Sequence, residues 1–406
     1  MRIRIKRILA ALFAAALAVT SGVCLFGCGE QQPQPISKIA LTETASDYSE
    51  YVNTYGRIFY SSDLGGVTFI NSASGFEVRF RGTELVAEVQ TLSGGTKYPN
   101  GMFSVFVDGE TDSNARILKT EASGGLRDKI TIVSGLSEGE HTVKVLKRTP
   151  SNRDRLIVSE ISTDGELLTA PAKPSVDIEF YGDSITCGEG VLREYKDENG
   201  NLIDDNPSYY TQETQNVFQS YAGECAKNLG AAFRVFGRGG IALKYRKAGD
   251  PYTVSNNYES VAVDLPASDY PYDYNSYRPS VVVVYLGTND YLLYSKHGST
   301  VVDDDGNRYS SGGLTVAVVN FVKDVIGQKY GYDMPVILCS NLMVPKAGLD
   351  KVMTNAAAQL TEFECVRAVR FEKGVTADKG GHPVVEDSIV AGKRLSDEIK
   401  SVLGLE

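Results

Sequence analysis

The sequence predicts a two-domain α/β protein, in which an antiparallel β-sandwich precedes a domain built on a parallel sheet. Between residues 55 and 164, short runs of alternating apolar and polar residues are separated by turn residues, which is typical of a sandwich. After residue 176, strands alternate with helical patterns, which is typical of a parallel sheet. The chain has 406 residues, more than one hydrophobic core usually supports. We place the sandwich at 46–170, a linker at 171–175 and the second domain at 176–406.

Residues 1–27 have the composition of a bacterial lipoprotein signal peptide. Four Lys or Arg residues precede an apolar run at residues 8–19 that is short for a membrane span. The sequence Leu-Phe-Gly-Cys that ends at Cys28 resembles a lipobox, which is cleaved before the cysteine so that the cysteine can be acylated. We therefore expect residues 28–45 to tether the protein to the extracellular face of the cell membrane. Phe26 is a less usual lipobox residue, and simple secretion is the alternative.

Charge and cysteine content limit the expected partners and cofactors. Removal of residues 1–27, which carry four positive charges and no negative ones, changes the formal net charge from −10 to −14. We expect no nucleic-acid partner, because binding to phosphates requires a basic face. The cysteines after Cys28 are widely spaced, without a Cys-x-x-Cys pair, and we interpret them as small buried hydrophobic residues rather than a disulfide or a zinc site. No cofactor or metal is expected.

The sandwich is predicted from period-two runs, and Asp108-Gly109 gives a turn between two of them. The runs lie at residues 66–70, 75–80, 84–89, 103–107 and 141–146. His141 lies on an alternating strand, so we expect it to be structural.

The second domain is predicted as five strands with helices between them. The strands lie at residues 176–181, 232–236, 281–286, 336–339 and 366–371. The helices lie at residues 217–229, 314–330, 349–363 and 388–403. Residues 191–212 and 246–278 are predicted loops, and the second of these is rich in tyrosine.

Four polar segments follow strands of this second domain. Ser184 ends a Gly-Asp-Ser turn after the first strand, and Gly237-Arg238-Gly239-Gly240 follows the second. Gly-Thr-Asn-Asp at 287–290 follows the strand at 281–286, and the segment 378–383 lies a loop beyond the last strand. Because the carboxyl ends of parallel strands share one edge of a sheet, we expect these segments to meet.

The converging residues are those that acyl transfer requires. Ser184 is the candidate nucleophile, and a serine hydroxyl needs a base within hydrogen-bond distance. His382 is the candidate base, because His141 belongs to the other domain and His297 to a hydrophilic loop. Asp378 is the nearest upstream carboxylate that could orient the imidazole.

A tetrahedral intermediate also requires hydrogen-bond donors. The Ser184 backbone N–H, a glycine N–H from the second segment and the Asn289 amide are the candidates for an oxyanion hole. Each has a structural alternative, because glycine-rich turns connect strands to helices and asparagine is common in turns and caps. The convergence of all four segments favours the catalytic interpretation.

These segments resemble the four sequence blocks of the SGNH (GDSL-type) hydrolases. The matching residues are Gly182-Asp183-Ser184, Gly239, Gly287-Thr288-Asn289-Asp290 and His382-Pro383. The sequence of residues 181–190, the Gly237-Arg238-Gly239 turn and the preceding sandwich are similar to the second family of carbohydrate esterases, the two-domain acetylxylan esterases. The resemblance extends from about residue 55 to the end of the chain.

This resemblance implies a jelly-roll-like sandwich, a flavodoxin-like SGNH domain and a metal-independent serine esterase. Such an enzyme removes O-acetyl groups from polysaccharides or oligosaccharides, such as xylan or mannan, through an acetyl-enzyme. It implies that Ser184 is the nucleophile and His382 the base, and that Gly239 and Asn289 are oxyanion donors. The superfamily usually places its acid three residues before the histidine, where this chain has Lys379. Either Asp378 or a backbone carbonyl would then orient His382.

The chain lacks tryptophan, on which carbohydrate sites often stack sugars. The tyrosine-rich loop at 252–277 could replace it, or could cover the edge of the sheet. Because the chain differs from the family pattern in its lack of tryptophan and in Lys379, two rival functions stay open. One is a catalytically weak, glycan-binding surface lipoprotein, and the other is an esterase that acts on cell-envelope glycan or lipid.

Overall fold

The computed structural model of this protein contains, in the residues it describes, two six-stranded antiparallel sheets, one five-stranded parallel sheet and a two-stranded ribbon. The structure describes residues 36–95, 98–121, 126–204, 206–247, 249–344 and 348–406. The predicted signal peptide and Cys28 lie outside these residues. Within the described ranges, no helix is long and apolar enough to cross a membrane.

The N-terminal domain is a sandwich of two six-stranded sheets, as the sequence predicts. Its strands are β1 (Lys38–Ala40), β2 (Val52–Tyr55), β3 (Ile58–Ser61), β4 (Gly66–Phe69), β5 (Gly75–Arg81), β6 (Leu85–Ser93), β7 (Asn100–Val107), β8 (Ile117–Glu121), β9 (Asp128–Val133), β10 (Glu140–Lys147), β11 (Asp154–Thr163) and β12 (Glu166–Leu168). One sheet has the order β3-β4-β11-β6-β9, and the other has the order β12-β5-β10-β7-β8. Strand β1 pairs with β11 and β2 pairs with β5, so the sandwich begins before the predicted boundary at residue 46.

Alternation along the strands places one face of each sheet in a shared core. On β10, for example, Val143 and Val145 are fully buried in that core. His141 lies on the same strand, and its ring nitrogens are 2.7 Å from Asp108 Oδ2 and 2.8 Å from the Ser137 carbonyl oxygen. These contacts confirm that His141 is structural.

The second domain is built on a five-stranded parallel sheet. Its strands are β13 (Asp177–Gly182), β14 (Ala232–Gly237), β16 (Val281–Tyr285), β18 (Val336–Ser340) and β19 (Val366–Arg370), and a small ribbon pairs β15 (Arg246–Lys247) with β17 (Val301–Val302). The order β14-β13-β16-β18-β19 is that of flavodoxin-like sheets. The register places the last residue of β13, Gly182, beside Gly237 on one side and Tyr285 on the other. The strand order reverses at β13, where such sheets bind their ligands.

Helices cover both faces of this sheet. They are α1 (Tyr221–Leu229), α2 (Val254–Asn257), α3 (Thr288–His297), α4 (Ser311–Phe321), α5 (Gln328–Tyr330), α6 (Leu349–Gln359) and α7 (Val385–Leu403). The four predicted helices correspond to α1, α4 with α5, α6 and α7, and a π-helical turn at Val322–Gly327 joins α4 to α5.

The placement of residues 295–297 in a loop was wrong, because they form the end of α3. Only Thr288 and Asp290 of this helix are buried, so it has no apolar stripe from which a helix could be predicted. Cys187, Cys225 and Cys339 are buried and free, as predicted, and Cys365 is partly buried.

Arg57 of the sandwich anchors the two domains to each other. Its guanidinium lies 3.0 Å from Glu179 Oε1 on β13, and both side chains are almost fully buried. The guanidinium also donates to the carbonyl of Tyr258 and lies 4.1 Å from the ring centroid of Tyr272. These tyrosines belong to the tyrosine-rich loop, which therefore packs around the domain junction. Tyr272 also accepts a 3.2 Å hydrogen bond from Arg234 on β14, the edge strand of the parallel sheet. Of the two roles expected for this loop, stacking of sugars or covering the edge of the sheet, these contacts correspond to the second.

Candidate active site

Ser184 and His382 come together at the carboxyl edge of the parallel sheet. The two residues are 198 positions apart in the sequence, and His382 Nε2 lies 2.7 Å from Ser184 Oγ. Ser184 lies two residues past Gly182, the last residue of β13, and it is buried. The distance is that of the hydrogen bond through which a histidine base activates a serine hydroxyl.

A tight turn presents the serine. The Cys187 and Glu189 backbone N–H groups donate to the carbonyls of Asp183 and Ser184 at 3.0 and 2.9 Å, so the chain coils as soon as the strand ends. The Ser184 N–H lies at the start of this turn. Gly182 is needed for close packing, because a Cβ at this position would overlap the side chain of Thr186.

Three side chains hold the imidazole and its backbone. Tyr210 Oη lies 3.1 Å from His382 Nδ1 and accepts a 3.3 Å hydrogen bond from the His382 backbone N–H. Arg193 and Thr376 donate to the His382 carbonyl at 2.5 and 2.6 Å. A histidine that accepts the serine proton on Nε2 carries its own proton on Nδ1, and here that proton is directed at the Tyr210 oxygen.

Asp378, the candidate acid, lies on the surface. Its carboxylate is 2.5 Å from Lys373 Nζ, and its side chain is 64% exposed. The hydrogen bonds described for the imidazole involve Ser184 and Tyr210. The role of Asp378 as the orienting acid stays a prediction, and Tyr210 is a second candidate for that role.

The candidate oxyanion donors lie on the segments that follow β14 and β16. Gly287 has φ of 103° and turns the chain into α3, which places Asn289 in the first turn of that helix. Asn289 Nδ2 donates to the Ile241 carbonyl at 2.9 Å and to Asp183 Oδ2 at 3.3 Å. These bonds fix the amide between the loop after Gly239 and the turn that carries Ser184.

Asp290 fixes the loop that follows Gly239. Its two carboxylate oxygens accept hydrogen bonds of 2.7–2.9 Å from the consecutive backbone N–H groups of Leu243, Lys244 and Tyr245. The side chain is fully buried, and this burial raises the pKa of its carboxyl. The Asn-Asp pair at the start of α3 thus has two distinct roles, because Asn289 contacts the site and Asp290 supports the neighbouring loop.

Comparison with known proteins finds similarity to carbohydrate esterases. A family profile described as the carbohydrate esterase 2 N-terminal domain matches residues 54–171. The chain is 29% identical over 363 residues to the cellulase/esterase CelE of Acetivibrio thermocellus, a match that covers 86% of this chain and 39% of that protein. It is 23% identical over 278 residues to an acetylxylan esterase/glucomannan deacetylase of Cellvibrio japonicus, covering 68% of this chain and 70% of that one.

A solved structure matches both domains. This is a family two carbohydrate esterase from Clostridium thermocellum in complex with cellohexaose, which superposes with a TM-score of 0.70 at 26% identity and covers 87% of this chain and 99% of that one. The protein resembles the two-domain esterases of carbohydrate esterase family 2. The resemblance predicted from the sequence is confirmed, as is the combination of a sandwich with an SGNH-type parallel sheet. The protein spans about two fifths of the length of CelE.

Asp183, the residue before Ser184, has a carboxyl group with a raised pKa. It is fully buried, and this burial, with the nearby negative charges of Asp290 and Glu189, raises its pKa to about 7. The backbone N–H of Ile185 opposes the shift by donating to Asp183 Oδ1 at 2.9 Å. Asp183 therefore changes its charge close to neutral pH, directly behind the serine.

The sequence interpretation missed Tyr210 and Arg193. Both lie between β13 and α1, in a connection that runs from residue 183 to residue 220 and is long for a strand-to-helix link. Long loops at the carboxyl edge of a sheet often carry functional residues, and that length was the one available signal. Within the described residues, no group of three or more His, Cys, Asp or Glu side chains could hold a metal ion.

Proposed function

We propose that this protein is a serine esterase that removes O-acetyl groups from polysaccharides or oligosaccharides. The observation that carries the proposal is the 2.7 Å contact between Ser184 Oγ and His382 Nε2 at the edge of the parallel sheet. The resemblance to carbohydrate esterases of family 2 supports the substrate class. Acetylated xylan and acetylated glucomannan are the proposed polymers, since a relative is described as an acetylxylan esterase/glucomannan deacetylase.

In the first half of the proposed reaction, Ser184 Oγ attacks the acetyl carbonyl carbon while His382 Nε2 takes the hydroxyl proton. The carbonyl oxygen becomes an oxyanion that accepts hydrogen bonds from the Ser184 and Gly239 N–H groups and from Asn289 Nδ2. One of the two hydrogen bonds that Asn289 makes here must then be exchanged for a bond to the oxyanion. Collapse of the intermediate breaks the bond to the sugar oxygen, which leaves with the proton held by His382.

In the second half, water attacks the acetyl group on Ser184 and His382 accepts the proton of that water. The same donors stabilise the second oxyanion. Its collapse breaks the bond to Ser184 Oγ, which takes the proton back from His382, and acetate leaves. Throughout the cycle the His382 ring, neutral or protonated on Nε2, donates from Nδ1 to Tyr210 Oη, which keeps Nε2 directed at the serine.

The test of this proposal is the release of acetate from acetylated xylan and acetylated glucomannan, measured with the parent protein and Ser184→Ala. We expect release by the parent and none by the variant. Activity on aryl esters should fall steeply as the acyl chain grows beyond two carbons. Polysaccharide retention without acetate release would favour a glycan-binding lipoprotein, and a preference for long acyl chains would favour a lipid esterase.

We further propose that Cys28 anchors the protein on the outer face of the cell membrane. The support for this is the basic start, the apolar run at residues 8–19 and the Leu-Phe-Gly-Cys sequence. Cys28→Ser should move the protein from the membrane fraction to the soluble fraction of the cells that express it. Unchanged fractionation would contradict the anchor.

A further inference from the structure

An ion pair formed between the domains lies beside the proposed oxyanion hole. Arg153 belongs to the sandwich and precedes β11, and its Nη2 lies 2.6 Å from Glu189 Oε1. Glu189 belongs to the turn that follows Ser184. The two side chains are only 13% and 12% exposed, so solvent screens their charges weakly.

Arg153 is held in place by its own domain. Its guanidinium carbon lies 3.9 Å from the ring centroid of Tyr98. The loop between β10 and β11 is fixed by Lys147 and Asp154, a fully buried pair with Nζ and Oδ1 2.5 Å apart. The Arg148 carbonyl of the same loop accepts a 3.1 Å hydrogen bond from the Val217 N–H of the second domain. The position of Arg153 at the junction is therefore set by buried contacts on both sides.

Glu189 contacts both the nucleophile turn and the oxyanion loop. Its backbone N–H donates to the Ser184 carbonyl at 2.9 Å. Its side chain lies against the Cα of Gly239, since a Cβ built on that glycine would overlap Glu189 Oε2. A carboxylate thus lies next to one of the proposed donors to the oxyanion.

A lone carboxylate at this place would oppose catalysis. Negative charge develops on the substrate oxygen in the transition state, and a nearby anion in a poorly solvated site raises its energy. A guanidinium bound to that carboxylate cancels most of its field and fixes the side chain against Gly239.

We propose that Arg153 is a positioning residue of the esterase site that acts through Glu189, neutralising its charge and holding it against Gly239. The inference rests on the proposed function. It gives the sandwich a direct part in the reaction, because the second domain alone would contain Glu189 without its counter-charge.

The test measures kcat and KM on a chromogenic acetate ester for Arg153→Met, Glu189→Gln and the double variant. Arg153→Met should lower kcat about tenfold or more with little change in KM, because the transition state alone carries the oxyanion. The double variant should recover to within about threefold of the parent, since it lacks the uncompensated carboxylate. Arg153→Lys, which keeps the charge, should retain most of the activity.

Glu189→Gln gives an answer even if Arg153→Met does not fold. It leaves a cation beside the oxyanion, so its kcat should equal or exceed that of the parent, and a fall of about tenfold would overturn the proposal. The proposal would also be overturned if kcat of Arg153→Met equalled that of the parent. It would be overturned as well if kcat of the double variant were no higher than that of Arg153→Met. The control is Arg116→Met, whose guanidinium pairs with Glu110 at an exposed site of the sandwich and should leave kcat unchanged. A parent protein without esterase activity would instead refute the proposed function.

Discussion

Replacement of Tyr210 by phenylalanine tests which group orients His382, the proposed catalytic base. The substitution removes the oxygen that lies 3.1 Å from His382 Nδ1 and 3.3 Å from the His382 backbone nitrogen, and it keeps the ring, which packs edge-on to the imidazole. The Nδ1–H would lose the Tyr210 oxygen as an acceptor at the step where the imidazole becomes charged.

The magnitude follows from the kind of hydrogen bond that is lost. A neutral bond contributes about 0.5–1.5 kcal/mol, and one to a charged group about 1.5–3 kcal/mol. The hydrogen bond to Nδ1 is neutral in the ground state and involves a charged group once the imidazolium forms. Its removal therefore raises the free energy of the transition state by roughly 1–2 kcal/mol more than that of the ground state. At about 1.4 kcal/mol per tenfold change in rate, kcat should fall about tenfold, and KM should remain within about twofold.

The assay is steady-state hydrolysis of a chromogenic acetate ester by Tyr210→Phe, Asp378→Asn and the control Tyr195→Phe. Tyr195 belongs to the same loop, and its hydroxyl donates to Glu386 at 2.8 Å, so its variant should match the parent. Asp378→Asn should change kcat by less than about threefold, whereas loss of an acid that orients the histidine costs about 10⁴-fold. Unchanged kcat in Tyr210→Phe together with a large loss in Asp378→Asn would refute this reasoning and establish Asp378 as the acid.

Three further outcomes are expected. Asn289→Ala should lower kcat by about 10²–10³-fold through loss of an oxyanion donor, and a loss below about threefold would remove Asn289 from the hole. The pKa of Asp183 is about 7 in the folded protein and 3.8 as the reference value, so its stabilising contribution falls as pH rises from about 4 to 7. Asp183→Asn should abolish this fall, which amounts to about 3 kcal/mol between pH 4.5 and 8 and is measured by urea unfolding at those two pH values. Parallel pH profiles of parent and variant would contradict this expectation. Arg57→Met should lower the free energy of unfolding by about 3–5 kcal/mol, because it leaves Glu179 buried without its counter-charge. In the same urea titration the control Arg81→Met, which removes an exposed ion pair, should lower the free energy of unfolding by less than about 1 kcal/mol.

The positions of Ser184 and Asn289 could be predicted from where the apolar strands end in the sequence. Apolar runs marked β13, β14 and β16, and the residues just past their ends were expected at one edge because parallel strands end together. The structure places Ser184 and Asn289 there, and it brings His382 to the serine from a loop beyond β19.

Residues of the site that do not lie at the end of a parallel strand could not be predicted in this way. Tyr210 is 172 positions from His382 and belongs to a polar loop without periodicity, so no local pattern indicates its contact. Arg153 reaches Glu189 across the domain junction, which depends on how two independent sheets dock. Helix α3 was missed because it begins at an active-site turn and buries two polar residues in place of an apolar stripe.

The domain boundary near residue 46 was placed by composition alone. The polar character of residues 28–45 indicated a tether, yet Lys38, Ile39 and Ala40 pair with β11. A three-residue edge strand is too short to show alternation in the sequence.

The central claim is that Ser184 and His382 form a working nucleophile–base pair. The direct measurement is kcat for a chromogenic acetate ester with the parent protein, Ser184→Ala and His382→Ala. We expect an active parent and a loss of several orders of magnitude in each variant, because the two residues act as a unit. Both variants retaining the activity of the parent, or a parent as inactive as the variants, would contradict the claim.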